Sequence, residues 1–107
     1  MHEMGKYEDA LESLDSAGTE LDVSRTNLTS SQVTALREAV GKSGKVTKLS
    51  AFSCRITDSG AAALAAGIAK CPQLQMLDLS SNKVSNSGAT ALAHAIAQCP
   101  QLQKLDL

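Results

Sequence analysis

The 107-residue chain is nearly devoid of aromatic side chains: it has one Tyr, one Phe and no Trp. Its core must therefore be assembled from Leu, Ala, Val and Ile, without the large flat groups that anchor most cores and interfaces. A basic excess is missing too. Ten Lys and Arg against eleven Asp and Glu leave a net charge of −1, which offers nothing to neutralise phosphates, so no nucleic-acid binding is expected. Long apolar runs are also lacking. The longest, Ala61 to Ala69, spans nine residues, where a membrane helix needs about 20. The opening segment MHEMGKYEDALE does not have the basic-then-apolar layout of a secretory signal. No membrane association and a cytoplasmic location are the expectation.

Chemistry-bearing motifs are scarce. Cys54, Cys71 and Cys99 form no CxxC and have no His near them in sequence, so neither a metal site nor a disulfide framework is expected and the thiols read as small buried groups. No GxSxG or phosphate-binding loop is present, and no cofactor or enzymatic activity is expected.

What the chain does contain is repetition. Gly60 to Leu79 and Gly88 to Leu107 share 15 of 20 residues at a spacing of 28, and the same spacing runs back toward the amino terminus. Leu21, Leu49, Leu77 and Leu105 fall in one column; Val23, Ala51, Leu79 and Leu107 in another; Leu36, Leu64 and Leu92 in a third. Within each unit the apolar period changes. Leu74, Leu77 and Leu79 describe a short strand, whereas Ala89, Leu92, Ala93 and Ile96 follow the spacing of one helical face. Ser30, Asp58 and Asn86 share the column at the expected helix starts, and their side-chain oxygens suit the open N–H groups of a first turn. Pro72 and Pro100 stand just beyond the helix ends.

The run LxxLxLSSNxV at Leu74 to Val84 resembles the leucine-rich repeat signature, with Asn82 and Cys54 in its Asn/Cys column and Thr26 as a departure. The 28-residue period with a full helix is similar to the ribonuclease-inhibitor-like subtype, which is also found in NOD-like receptors, tropomodulin and the Ran GTPase activator. This resemblance covers residues 18–107 and implies an α/β fold: a right-handed leucine-rich repeat solenoid, a fragment of a horseshoe, with a parallel sheet on the concave side and helices on the convex side. Asn82 is expected to satisfy backbone groups where the chain turns. Residues 1–17 break the period. Met4, Tyr7, Leu11 and Leu14 step as on an amphipathic helix, so this segment is read as an amino-terminal capping helix.

Alternation along each strand sends the consensus leucines inward and the intervening residues to solvent. The expected protein-binding face comprises Asp22, Ser24, Lys48, Ser50, Phe52, Met76, Asp78, Ser80, Lys104 and Asp106, beside Glu20. Phe52 stands out because its column otherwise holds Ser24 and Ser80, and exposed aromatics are enriched at binding hot spots; folding over the edge of the core is its alternative. A non-enzymatic protein-protein interaction module is the leading expectation. Its rivals are a regulator of a small GTPase or another enzyme, for which Arg25 and Asn27 are the only hints, and a purely structural, self-assembling repeat fragment. The final strand leaves Leu105 and Leu107 as an edge through which two copies could pair as a homodimer.

Overall fold

The computed structural model describes residues 5–15 and 18–107. Eight elements follow one another as α1 (Lys6–Asp15), β1 (Glu20–Asp22), α2 (Ser30–Ser43), β2 (Lys48–Ser50), α3 (Asp58–Ile68), β3 (Met76–Asp78), α4 (Asn86–Ile96) and β4 (Lys104–Asp106). The strands form one parallel sheet in the order β1-β2-β3-β4. Its register pairs Leu21 with Leu49, Leu49 with Leu77 and Leu77 with Leu105. Residues 28 apart are thus spatial neighbours, as the sequence period requires, and each βα unit packs only on the units beside it.

A spine of buried aliphatic side chains runs between sheet and helices. Leu21, Leu49 and Leu77 supply the strand side, and Leu36, Leu64 and Leu92 the helix side, all at most 2% exposed. The three cysteines are buried in the same spine as free thiols, and burial raises the pKa of each. Cys54 and Asn82 hold equivalent places one repeat apart: Cys54 Sγ donates to the Val23 carbonyl and Asn82 Nδ2 to the repeat-equivalent Ala51 carbonyl.

Helix α1 packs against β1 and α2. Tyr7, Ala10 and Leu14 are buried and Leu11 is partly buried, while the Tyr7 hydroxyl donates to the Gln32 carbonyl at 3.0 Å. Met4, the first position of the amphipathic pattern, lies outside the described residues, as do the remainder of 1–4 and residues 16–17.

The helix starts differ from expectation by one residue. The caps are Thr29, Thr57 and Ser85, each with extended backbone, and Ser30, Asp58 and Asn86 are already helical. Thr29 forms a reciprocal capping box with Gln32. Thr57 and Ser85 make no side-chain capping bond; for α4 the acceptor is Asp58, reaching across from the preceding repeat. The sequence column does contain the carboxylate that caps a helix, but the helix is the next one.

Candidate protein-binding face

Strands β1, β2 and β3 bury their central Leu and turn both neighbours outward, except where packing narrows their exposure, whereas all three residues of β4 are exposed. Two parallel rows result. Glu20, Lys48, Met76 and Lys104 form the first, and Asp22, Ser50, Asp78 and Asp106 the second. The first row carries one acid and two lysines, and Lys48 Nζ lies 3.9 Å from Glu20 Oε2. The half-buried Met76 sits between Lys48 and Lys104 in register. Beside it is a shallow depression of about 280 Å³ lined by Glu20, Asp22, Lys48, Ser50 and Met76.

The second row is partly committed to the fold. Asp22 Oδ1 accepts from the Ser24 amide at 2.9 Å, and Asp78 Oδ1 accepts from both the amide and the hydroxyl of Ser80. These carboxylates tie the turn that leaves each strand. Lys6, the single base of the amino-terminal segment, places Nζ 3.4 Å from Asp22 Oδ2. Burial works to raise the pKa of Asp22, but the hydrogen bonds from Ser24 and the charge of Lys6 together outweigh it and hold the carboxyl below its ordinary value.

Ser24 does not belong to the face. It is 1% exposed, its hydroxyl is 2.8 Å from that of Ser50, and it accepts from the Phe52 amide. A small hydroxyl at the end of the strand turns inward to satisfy backbone that an apolar residue would leave unpaired. Phe52 is half-buried and lies under Arg25, whose guanidinium carbon is 5.3 Å from the ring centroid. The cation and the ring sit 27 residues apart on adjacent turns, so the two form one cation–π unit at the rim. The repeat spacing could have signalled this proximity, since a one-repeat offset of 28 places Arg25 beside Ser53, the residue that follows Phe52. Lys104 and Asp106 are exposed, as are Leu105 and Leu107 at 44% and 51%.

Among the described residues no cluster of His, Cys, Asp and Glu is arranged to hold a metal ion, and no helix is long and apolar enough to cross a membrane.

A family profile described as leucine-rich repeat matches residues 45–65 and 70–93. The solved structure titled leiomodin-1 actin-binding site 2 superposes with a TM-score of 0.80 at 22% identity, over 96% of this chain and 62% of that one. The chain therefore has the leucine-rich repeat solenoid fold. A tropomodulin C-terminal domain from Caenorhabditis elegans agrees, with a TM-score of 0.80 at 21% identity over 94% of this chain and 63% of that one. The chain spans less than two thirds of either structure, and no curated protein sequence matches it.

Proposed function

We propose that this leucine-rich repeat chain is a non-enzymatic protein-recognition module that docks its partner on the concave sheet. One observation carries the reading: the in-register row Glu20, Lys48, Met76 and Lys104 faces outward, offering an apolar centre flanked by two lysines. The depression beside it, about 280 Å³, falls below the roughly 300–1,000 Å³ of pockets that enclose small molecules, and so suits a broad protein surface better than a metabolite. The 28-residue period with a full helix supports the ribonuclease-inhibitor-like subtype.

The first partner to test is actin, because a solved structure of the same fold is titled as an actin-binding site. Binding of the chain to monomeric and filamentous actin is measured by anisotropy and by cosedimentation, alongside the Lys48→Glu/Met76→Glu double variant. Binding by the wild type and a loss of about tenfold or more in the variant is the expected result, the scale of a central interface residue. Equal binding by both proteins rules out the concave face, and binding to neither form rules out actin. The exposed Leu105 and Leu107 support self-association through β4 as a second reading. A sedimentation mass that stays monomeric as concentration rises removes it.

A further inference from the structure

A groove of about 220 Å³ opens between α2 and α3 on the rim where strands pass into helices. The buried side chains of Val33 and Ile56 line its base, and exposed Arg55, Thr57 and Ser59 line its mouth. Its volume is below that of small-molecule pockets, about 300–1,000 Å³. It has room for a side chain rather than a cofactor. No carboxylate is among its lining residues, and Arg55 takes part in none of the ion pairs among the described residues.

The next junction along the solenoid shows what such a mouth accommodates. Between α3 and α4, Asp58 Oδ1 accepts from the amides of Ser85 at 2.7 Å and Gly88 at 3.2 Å, while Oδ2 accepts from the hydroxyls of Ser85 and, at 3.5 Å, Ser87. One period earlier these donors are Thr57, Gly60 and Ser59, all on the wall of the groove. The residue in the place of Asp58 is Ser30, on the same wall, and Thr57 makes no capping bond of its own. The donor set is repeated in full, but the acceptor is not. Arg55 adds a positive charge, standing where the later repeat has Lys83.

We propose that this groove binds an aliphatic, carboxylate-bearing segment of a partner protein. An apolar side chain rests over Val33 and Ile56, and the adjacent Asp or Glu carboxylate accepts from the Thr57 and Gly60 amides opposite Arg55, as Asp58 does for α4. Apolar burial supplies affinity, and the charged acceptor at a helix start supplies direction. The site is on the rim and does not depend on the concave face.

The test is titration of ¹⁵N-labelled protein with acetyl-Leu-Asp-Leu-amide and with acetyl-Leu-Asn-Leu-amide. Saturable shifts at the Thr57, Ser59 and Gly60 amides are expected with the Asp peptide, and about tenfold weaker binding with the Asn peptide, the usual difference between a charged and a neutral acceptor. Ser30→Asp installs the carboxylate from within; it should reproduce those shifts without peptide and abolish peptide binding, while Arg55→Gln weakens it. The proposal is overturned if no saturable shift occurs, if both peptides bind equally, or if Ser30→Asp binds the Asp peptide as the wild type does.

Discussion

Asn82 and Cys54 stand one repeat apart and are joined directly, the Cys54 amide donating to Asn82 Oδ1 at 2.9 Å. The same oxygen accepts from the Ile56 amide at 2.9 Å, and Nδ2 donates to the carbonyls of Ala51 and Leu79. One side chain therefore satisfies backbone on two successive turns of the solenoid. Asn82→Ala leaves these groups unpaired and is expected to destabilise the fold by about 3 kcal/mol, the sum of two or more buried polar groups losing their partners. Asn82→Cys recovers part of that loss, because Cys54 already makes the equivalent Sγ contact with Val23; its thiol cannot accept from both amides as the carboxamide does. Urea unfolding of the two variants checks the order.

Arg25, Ser53 and Ser81 occupy one column and all have left-handed backbone, with φ of 62°, 56° and 58°. The turn that leaves each strand demands this conformation, and a Cβ there costs about 1–2 kcal/mol. Ser53 is exposed, and its amide bond to the Ser80 carbonyl survives substitution. Ser53→Gly relieves the strain and gives back part of it through the freer unfolded chain. The expected net gain is about 0.5–1 kcal/mol, read as a rise of about 2–5 °C in Tm by circular dichroism.

These turns also mark where the sequence stopped being readable. The period of 28 placed the strands side by side because each inner rung must bury a leucine, as Leu21, Leu49 and Leu77 do, with Leu105 in register beside Leu77. The role of Asn82 followed from the need to pair backbone at a sharp turn. The left-handed column did not announce itself, since Arg and Ser stand where glycine would have signalled it. Nor could alternation alone show that Ser24 turns inward, because a serine is small and polar enough to serve on either side. The cap supplied by Asp58 was misplaced for a related reason: its column is adjacent to its own helix in sequence but faces the next helix in space.

Asp58 makes stability depend on pH. The hydroxyl of Ser85 and then its amide, helped by the Gly88 amide and the Ser87 hydroxyl, hold its carboxyl below the ordinary value of 3.8, outweighing the opposing effect of burial. With the folded-state value depressed, ionised Asp58 stabilises the native state above the unfolded-state value near 3.8, and that contribution disappears as pH falls through the folded-state value. Asp58→Ala should therefore lower Tm at neutral pH, with the gap from wild type closing below pH 3.8. Hydrogen exchange at the Ser85 and Gly88 amides should quicken in the variant at neutral pH. A gap that stays constant with pH would show that the carboxylate is not the acceptor holding α4.

Gly67 sets intrinsic propensity against packing. In a helix interior, alanine is favoured over glycine by about 0.5–1 kcal/mol, and the repeat-equivalent residue in α4 is Ala95. At Gly67, however, an added Cβ would lie 2.6 Å from the Arg37 carbonyl oxygen of α2. The obstacle is backbone, so no rotamer change relieves it and the two helices must separate. Overpacking of this kind costs about 1–3 kcal/mol, more than the propensity gain. Gly67→Ala is expected to destabilise the chain on balance, while Gly41→Ala, whose Cβ would meet only the Lys70 side chain at 3.4 Å and the Gly67 Cα at 3.7 Å, should keep more of the helical benefit. Thermal unfolding of the pair separates the effects, and a higher Tm for Gly67→Ala than for wild type would mean that α2 and α3 have slack that their close approach denies.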